Sequence, residues 1–416
     1  MRILTVEPTR SGGLDRLRRL EELGVELYVL HGLGEPGFWP APRYRVAGSR
    51  HIDGLDAAAR DWHRERGFAG VLALTEAGVV TVAALAERLG LPGIGVAAAR
   101  ASRNKKLMRQ AHQRAGAPHP RFRHVTTLAG ALAAGDDLGY PAVLKPTLGA
   151  ASNFVVRVDS PEQLRDAFAV ADEGSRTMPA VTSEADGLDL GPPGLLLESY
   201  LDGSEHLIEA YAWDGEVLLG SIVDRLEPAG DAIDENVHCA PTELDAAQVD
   251  QVRAAVAAGA RGQGLRRSVL QVEVRFHGGR PYLVEIGARI GGGGLDRMAR
   301  LSAEYDPVRC LLDVARGVRP EPRRHRPTGL HTAAMVLLSS AGRVERVDVP
   351  PDLARVFLLR LSVRPGDVVR RPPDGNDILG FLGTTGASRA DALNALEAAA
   401  RQIRVQLTSI ASPLGY

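Results

Sequence analysis

The chain has 416 residues, with 51 acidic and 50 basic side chains and a formal net charge of −1. This length favours roughly two to four folded units. The near balance of charge gives no bulk field that would attract nucleic acid or an anionic membrane surface, so neither is expected as a partner. The first ten residues lack the long apolar core of a secretion signal, and no run is apolar enough to span a bilayer. Two cysteines make no disulfide framework, so we expect a reducing, cytoplasmic location.

The N-terminal part alternates short apolar runs with amphipathic segments, which is typical of an α/β domain. The predicted strands are 2–6, 26–30 and 70–74, and the predicted helices are 14–23 and 81–89. The glycines after the first strand do not form a GxGxxG fingerprint, so no dinucleotide site is inferred. Residues 90–93, with two glycines and a proline, end the second helix. We therefore predict a first domain over residues 1–95.

Two lysines lie next to segments whose predicted structure suits phosphate binding. Residues 103–115 predict a basic helix with Lys105 near its start, although a solvated helix face is the commoner fate of such charges. A strand over 142–145 ends in Lys145 and is followed by the small-residue loop 149–152, which includes Ser152. Backbone N–H groups of such a loop can cover phosphates. A plain hairpin to the next strand, 154–158, explains the loop equally well.

The middle of the chain predicts an exposed loop at 173–193 and then a meander of strands. Glu198 ends the first strand, Glu205 begins the second after a turn at 202–203, and Arg225 closes the third. Residues 231–239 are predicted as a polar loop that carries His238, and 245–262 as a long amphipathic helix. Arg225 and His238 are candidates for substrate contact, although a salt bridge and a surface loop position are the ordinary interpretations.

Residues 269–294 show period-two alternation in two runs, which indicates a hairpin of half-buried strands. A three-residue loop over 278–280 would pair Val274 with Val284 and Phe276 with Tyr282. A two-residue loop would turn one strand over, because a slip of one residue moves every side chain to the other face.

The three-residue register also sets Glu273 directly opposite Glu285. Like charges that face each other across a ladder are destabilising, so we expect a cation to lie between these carboxylates. Mg²⁺ binds through one or two carboxylates plus phosphate oxygens, which makes the pair a candidate metal site. Arg289 lies farther along on the same face, and the glycines from Gly291 to Gly294 leave backbone open to a ligand.

The C-terminal part predicts a helix at 305–316, strands at 332–338 and 344–347, and a terminal helix at 387–405. The boundaries that we predict are 1–95 for an N-terminal α/β domain, 96–190 for a small lid subdomain, 191–325 for a large subdomain with the site, and 326–416 for a C-terminal α+β subdomain packed on the core.

The order of these features resembles the ATP-grasp carboxylate–amine ligases over about residues 70–320, and the C-terminal part is similar to that of the L-amino-acid ligases that make dipeptides. The resemblance implies an α/β and α+β chain, with a Rossmann-like N-terminal domain and two halves that clamp ATP. It rests on an ordered set of charged residues: Lys105, Lys145, Glu198, Glu205, Glu273, Glu285 and Arg289.

The resemblance also implies a role for each residue. Lys105 and Lys145 would neutralise phosphates, with Ser152 in the loop that closes over the γ-phosphate. Glu198 with the backbone of Ser199 and Leu201 would meet adenine, and Glu205 the ribose. Glu273 and Glu285 would hold Mg²⁺, with Mn²⁺ as an alternative. Catalytic roles fall to Glu285 and Arg289, and Arg289 would also contact the substrate. Arg225, His238 and Gly291 are further candidates for substrate contact.

Two positions depart from the family pattern. Gly287 stands where many members have an asparagine metal ligand, and Ala151 replaces a loop glycine. The expected activity is activation of a small carboxylate, such as an amino acid, as an acyl phosphate and its joining to an amine. The alternatives are an ATP-grasp carboxylase or purine-biosynthesis enzyme, and a non-catalytic nucleotide-binding protein. The resemblance further suggests a homodimer.

Overall fold

The structure is a computed structural model that describes residues 1–7, 10–34, 39–40, 42–149, 153–177, 184–226, 237–321, 326–370 and 377–409. The predicted loop residue Ser152 and residues 231–236 of the predicted polar loop 231–239 lie outside the described residues. Among the described residues, no helix is long and apolar enough to cross a membrane.

The chain opens with a four-stranded parallel sheet in the order β3-β2-β1-β4. Its strands are β1 (Arg2–Val6), β2 (Glu26–His31), β3 (Tyr44–Val46) and β4 (Val71–Leu72), and its helices are α1 (Arg10–Glu22), α2 (Ile52–Arg66) and α3 (Val79–Leu89). The α/β opening predicted from the alternation of elements is confirmed. Helix α2 was not predicted, although it buries Ile52, Leu55 and Trp62 at helical spacing.

Two consecutive helices, α4 (Val96–Arg103) and α5 (Lys105–Ala115), follow the first sheet. The predicted single helix over 103–115 was wrong at its start, because Asn104 interrupts it. The Asn104 side chain accepts hydrogen bonds from the backbone N–H groups of Lys106 and Leu107, which is the usual action of an N-cap residue. This cap places Lys105 at the first position of a helix.

A second, antiparallel sheet has the order β5-β8-β6-β7. It contains β5 (Phe122–Val125), β6 (Ala142–Pro146), β7 (Val156–Val158) and β8 (Leu195–Ser199), covered by α6 (Leu128–Leu138) and α7 (Pro161–Thr177). Strand β8 lies beyond the predicted boundary at 190, so this sheet extends the second unit to Ser199. The predicted exposed loop at 173–193 was partly wrong, because α7 reaches Thr177 and Glu184 is buried.

The largest sheet has eight antiparallel strands in the order β13-β12-β9-β10-β11-β14-β18-β16. These strands are β9 (Glu205–Trp213), β10 (Glu216–Leu226), β11 (Val237–Ala240), β12 (Arg267–His277), β13 (Arg280–Gly287), β14 (His331–Leu337), β16 (Val356–Leu361) and β18 (Gly380–Gly386). Because β14, β16 and β18 continue the sheet that β9 begins, the predicted units 191–325 and 326–416 share one sheet. The four-unit division otherwise stays a prediction.

Four helices and a small sheet complete the described chain. The helices are α8 (Ala246–Gln263), α9 (Leu295–Ala303), α10 (Pro307–Ala315) and α11 (Arg389–Ala400), and the third antiparallel sheet, ordered β17-β15-β19, contains β15 (Gly342–Asp348), β17 (Val368–Val369) and β19 (Arg404–Thr408). The predicted terminal helix 387–405 was too long, since Arg404–Thr408 pairs with β15. His238 and Cys239, predicted in a loop, lie on strand β11.

The two faces of the eight-stranded sheet differ in character. One face carries buried apolar side chains, including Leu270, Val272, Val274 and Ile208, and belongs to a core cluster that includes residues of α8. Because successive side chains of a strand point to opposite faces, the residues between them point the other way. That second face carries the charged residues described next.

Candidate active site

A row of charged side chains crosses the second face of the large sheet. In the strand register, Glu205 of β9 lies opposite Arg275 of β12 on one side and Arg225 of β10 on the other, and Arg225 lies opposite His238 of β11. Residues that are paired across neighbouring strands share a face. The alternation of each strand therefore turns four separate sequence positions into one continuous polar strip.

Glu273 and Glu285 face each other across the β12–β13 ladder, as the sequence predicted. The predicted loop was nevertheless wrong: His277 pairs with Arg280, which leaves a two-residue turn of Gly278 and Gly279, both with positive φ. That turn suits a type I′ hairpin, which requires positive φ at both central positions.

A bulge reconciles the short turn with the facing carboxylates. Val274 pairs with Leu283 and Glu273 with Glu285, so Val284 is an extra residue on its strand. The predicted pairs Val274–Val284 and Phe276–Tyr282 do not form. The inserted residue shifts the alternation of side chains by one position, which returns the Glu285 side chain to the same face as Glu273. Val284 itself lines the cavity described below.

Burial makes the facing carboxylates costly without a cation. Burial, Glu285 and Glu205 together raise the pKa of Glu273 to about 7. Lys105 supplies one positive charge: its Nζ lies 3.0 Å from Glu285 Oε2 and 3.3 Å from the carbonyl oxygen of Gly149. Lys105 is only 7% exposed, so the solvated-face interpretation of this lysine was wrong.

Lys145 is buried in an ion-paired cluster with Glu198 and Arg109. Lys145 Nζ lies 2.7 Å from Glu198 Oε2, and Arg109 Nε donates to Glu198 Oε1 at 2.7 Å. Burial raises the pKa of Glu198, but the two cations outweigh burial and lower it to about 2. Burial in turn lowers the pKa of Lys145. The carboxylate of Glu198 thus holds Lys145, the lysine that we predicted to bind phosphate, in place.

Arg109 was missed by the sequence reasoning. It lies one helical turn after Lys105 on α5, and residues four apart share a helix face, which was the available signal. Besides Glu198, it donates to the carbonyl oxygen of the bulge residue Val284 at 2.7 Å. Arg109 therefore links the buried pair of Lys145 and Glu198 to the hairpin that carries the two facing carboxylates.

Glu205 is paired on both sides by arginine. Arg225 NH1 donates to its Oε1 at 2.9 Å, and Arg275 Nε lies 3.2 Å from its Oε2. His238 is next in the row, and burial, with a contribution from Arg225, lowers its pKa to about 4. The imidazole is therefore neutral at physiological pH and has no charge of its own to offer a ligand.

Arg289 is held by a carboxylate from the N-terminal domain. Its Nε donates to Glu76 Oε2, while Arg103 NH1 donates to Glu76 Oε1 at 3.2 Å. Burial raises the pKa of Glu76, but Arg289 and Arg103 overcome it and lower the pKa to about 2. Glu76 was missed, although it follows β4 at the carboxyl end of a parallel strand, where α/β proteins commonly place site residues.

The glycine turn after Arg289 is held by hydrogen bonds to both backbone groups of Gly291. Gly291 N–H donates to Glu209 Oε1 at 2.6 Å, and its carbonyl oxygen accepts from Arg16 of α1. A Cβ added to Gly291 would collide with Glu209 Oε1, so a larger residue here would require the Glu209 carboxylate to move. Gly291 is buried beneath its neighbours Gly292 and Gly293, which line the cavity in its place.

A single cavity of about 450 Å³ collects most of the predicted residues. Those that line it are Lys105, Lys145, Glu205, Arg225, His238, Glu273, Glu285 and Arg289. Within the described part of the chain, Glu198, Ser199, Leu201 and Gly291 lie outside its lining. The Ser199 hydroxyl accepts from Arg121 N–H, and the Leu201 carbonyl accepts from Arg275, so both have protein partners. Their predicted contacts with adenine stay predictions.

The donor set of the cavity fits a divalent metal bound together with a polyphosphate. No cluster of three or more metal-binding side chains occurs within the described ranges. Two facing carboxylates with excess negative charge supply part of a Mg²⁺ shell, and phosphate oxygens and water commonly supply the rest. Gly287 lies directly opposite Gln271 in the ladder. Because glycine has no side chain, this position supplies no side-chain metal ligand. The two lysines add the positive charge that phosphates require.

Comparison with known families covers three parts of the chain. Residues 21–93 match the ATP-grasp N-terminal domain, residues 138–296 the ATP-grasp domain, and residues 334–408 the L-amino acid ligase C-terminal domain 2. The first segment contains β2, β3 and β4 of the parallel sheet, the second contains β6 to β13, and the third contains most of β14 and the strands that follow it.

Individual relatives agree with these domain matches. Alanine–anticapsin ligase of Bacillus subtilis is 30% identical over 57% of this chain and 51% of its own length. Carnosine synthase 1 of Homo sapiens is 29% identical over 70% of this chain and 37% of its own length. The chain thus spans about half or less of these two relatives.

A solved structure extends the likeness to the whole fold. The crystal structure of L-amino acid ligase from Bacillus licheniformis superposes with a TM-score of 0.82 at 23% identity, over 98% of this chain and 99% of that one. The predicted fold class, with its Rossmann-like first domain and C-terminal α+β extension, is confirmed. The chain combines the ATP-grasp N-terminal domain and the ATP-grasp domain with the L-amino acid ligase C-terminal domain 2, which makes it a member of the ATP-grasp superfamily.

Proposed function

We propose that this protein activates a small carboxylate, an amino acid, with ATP and joins it to the amine of a second amino acid. ATP supplies the γ-phosphoryl group: the carboxylate becomes an acyl phosphate with release of ADP, and attack by the amine then releases phosphate and leaves an amide. The observation that carries the proposal is the pair Glu273 and Glu285, which share one cavity with two lysines and Arg289.

The residues of the cavity suit phosphoryl transfer because that chemistry depends mainly on positioning and on charge stabilisation. Lys105 and Lys145 would bind phosphate oxygens, and Glu273 and Glu285 would hold Mg²⁺, or Mn²⁺ in its place. Arg289, oriented by Glu76, would meet the substrate carboxylate or the acyl phosphate. Glu205 would bind the ribose hydroxyls after exchanging one of its arginine partners for them.

The C-terminal match favours this ligase over the two alternatives within the superfamily. Residues 334–408 match a domain described for L-amino acid ligases, whereas a carboxylase or a purine-biosynthesis enzyme would give no reason for that match. A non-catalytic role is disfavoured because both facing carboxylates and both lysines are retained in the cavity.

Phosphate release tests the proposal directly. The protein, ATP and Mg²⁺ are incubated with each of the twenty amino acids singly and in all pairs, and the products of active pairs are identified by mass spectrometry. We expect phosphate release that depends on a pair and yields the mass of a dipeptide. Release that depends on bicarbonate or on a nucleotide amine instead would replace this proposal with the carboxylase or purine-type alternative.

Two further proposals concern assembly and location. A homodimer follows from the resemblance to the ligase family, and light scattering coupled to size-exclusion chromatography tests it. A cytoplasmic location is supported by Cys239 and Cys310, which are both buried and unpaired with each other. Fractionation of the native cells tests the location.

A further inference from the structure

A second cavity, of about 250 Å³, lies between helices α1 and α9. Within the described part of the chain, it shares no lining residue with the active-site cavity. Charged side chains of both helices line it, at positions three or four residues apart that share one face of a helix. We call this cavity the charged cleft; the residues that define it are Asp15, Arg18 and Arg19 of α1 and Asp296, Arg297 and Arg300 of α9.

Part of the charge in the cleft is paired within the protein. Arg297 NH2 lies 2.9 Å from Asp15 Oδ2, and this ion pair joins α9 to α1. Arg19 NH1 lies 2.8 Å from Glu22 Oε2, and Arg19 NH2 lies 2.8 Å from Oδ2 of Asp306, the N-cap of α10. These ion pairs hold the walls of the cleft, so Arg19 and Arg297 are already committed to protein partners.

Three other charged side chains of the cleft have no such partner. Asp296, Arg18 and Arg300 form no ion pair or hydrogen bond within the described ranges, and Nε of Arg300 is buried. Asp296 is only 8% exposed and lies in the first turn of α9, where the helix dipole favours a negative charge. Because a buried charge is costly unless a partner compensates it, these groups point to a ligand.

Two neighbours of Asp296 do not supply the missing partner. Residues four apart on a helix commonly pair, yet Asp296 and Arg300 form no ion pair in the described structure. Burial lowers the pKa of the nearby Arg360, and the charge of Asp296 opposes this effect, but no ion pair joins these two described side chains. The Asp296 carboxylate and the Arg300 guanidinium therefore both stay open to the cleft.

The three open groups match a ligand that carries both signs of charge. Arg18 and Arg300 come from opposite walls and suit a carboxylate, because guanidinium groups bind carboxylates through charge-assisted hydrogen bonds. Asp296 suits an ammonium group. An inorganic anion would be repelled by Asp296, and a simple amine would be repelled by the two arginines. An α-amino acid or a short peptide carries both groups and avoids both conflicts.

Both walls of the cleft also hold the glycine turn that follows Arg289. Arg16, which is next to the cleft residues on α1, donates to the carbonyl oxygen of Gly291. At the other end of the turn, Gly294 is the N-cap of α9. A ligand that joins the two walls would therefore restrain the turn from both of its ends.

We propose that the charged cleft is a second binding site, which takes a zwitterionic α-amino acid or a short peptide. The carboxylate of the ligand contacts Arg18 and Arg300, and its ammonium group contacts Asp296. The site goes beyond the proposed ligase function and does not depend on it. Its position gives such a ligand a direct connection to the glycine turn beside Arg289.

Probes that differ in charge test the class of ligand. Calorimetric titration of the protein, without ATP, compares alanine and alanylalanine with acetate, inorganic phosphate and ethylamine. We expect one of the two zwitterions to bind about tenfold or more tightly than each single-charge probe, because a single charge leaves part of the cleft unpaired. The tighter zwitterion distinguishes a free amino acid from a peptide as the ligand. Acetate or phosphate that binds equally tightly would show an anion site only and overturn the proposal, and so would the absence of zwitterion binding.

Variants assign the binding to the cleft. Arg300→Met should weaken binding of the tighter zwitterion about tenfold or more, and Arg300→Lys, which keeps the charge, should recover part of the loss. Asp296→Asn should lower the affinity for the zwitterion to that for acetate. Arg253→Met, which breaks an exposed ion pair with Asp250, is the control and should change the affinity less than about twofold. Unchanged binding in Arg300→Met would contradict the assignment.

A further variant separates the cleft from the active-site cavity. Arg289→Lys keeps a positive charge beside Glu76 but alters the group proposed to meet the substrate carboxylate. Binding to the cleft should stay within about twofold of the parent value, because the two sites share no lining residue. Equal losses in Arg289→Lys and Arg300→Met would place the ligand in the active-site cavity and overturn the proposal. Since the titration needs no turnover, failure of the ligase assay would leave this result unaffected.

Discussion

The carboxylates of Glu273 and Glu285 face each other across a ladder whose connecting turn, by itself, would place them on opposite faces. The bulge at Val284 corrects the register, and Arg109 holds the carbonyl of that bulge residue. Bulges are common beside active sites, where they redirect a side chain. The facing pair is thus a built feature of the hairpin, and the first predictions concern it.

Replacing Glu285 by glutamine should abolish phosphate release, with a loss of about 100-fold or more, because one of the two carboxylates proposed to hold the metal loses its charge. The measurement is pair-dependent phosphate release at saturating Mg²⁺. Glu397→Gln, on the exposed face of α11, is the control and should retain activity. Near-normal turnover of Glu285→Gln would refute the metal assignment.

Lys105 and its neighbour Lys106 provide a matched pair of variants. Lys105 lines the cavity, whereas Lys106 Nζ lies 3.0 Å from His124 Nδ1. Lys105→Met should raise the KM for ATP by about 10- to 100-fold, through loss of a charge-assisted hydrogen bond worth about 1.5–3 kcal/mol. Lys106→Met should leave it within about twofold. Equal effects of the two variants would exclude a specific phosphate contact for Lys105.

Glu76 should act on the reaction by positioning Arg289. Glu76→Gln removes the charge that orients the guanidinium, so we expect kcat/KM for the amino-acid substrates to fall about tenfold while the KM for ATP stays unchanged. Glu76→Asp should recover part of the loss. Glu65→Gln, which alters an exposed ion pair with Arg45, is the control. A rise in the KM for ATP of the same size would point to general disruption instead.

Removing the charge of Glu198 should destabilise the protein, because Lys145 and Arg109 would remain buried without their shared counter-ion. Breaking a buried ion pair in this way typically costs about 3–5 kcal/mol. Asp137→Asn, which breaks an exposed pair with Arg123, should cost less than about 1 kcal/mol. Thermal unfolding at pH 7 compares Glu198→Gln, Asp137→Asn and the parent protein.

The pH dependence of this effect has a definite sign. Arg109 and Lys145 lower the pKa of Glu198 to about 2 against burial, from an ordinary value of 4.5. The carboxylate therefore contributes stability above about pH 4.5, and the contribution disappears as the pH falls toward 2. The Tm difference between Glu198→Gln and the parent should shrink over that window. A constant difference would contradict the assigned ion pair.

The contribution of Glu209 to stability should change with pH in the opposite direction. Burial, with Asp296, raises its pKa to about 8, so the folded protein retains a proton that the unfolded chain loses above about pH 4.5. The stability associated with this proton is lost as the pH rises to 8. Glu209→Gln keeps an acceptor for Gly291 N–H and should gain Tm relative to the parent between pH 5 and 8.5. Glu209→Leu, which lacks the acceptor, should be destabilised throughout.

Local patterns predicted much of the site. Period-two alternation predicted Glu273 opposite Glu285, and helix-stop residues predicted the end of α3, which lies at Leu89. They failed where the signal was short or ambiguous. His238 lies in a four-residue strand whose preceding residues are polar, and the C-terminal helix was extended through Arg404–Thr408 because that strand carries little apolar surface of its own.

The sequence by itself determined most of the elements and the order of charged residues, because alternation, capping and turn preferences act between residues a few positions apart. The bulge that brings Glu285 to the face of Glu273 was decided by the folded hairpin, where Arg109 holds the Val284 carbonyl. Only the tertiary structure decided the partners of these charges. Glu76 meets Arg289 across 213 positions, and Glu198 meets Arg109 across 89. Such contacts arise from burial and strand pairing over long separations, which no local pattern encodes.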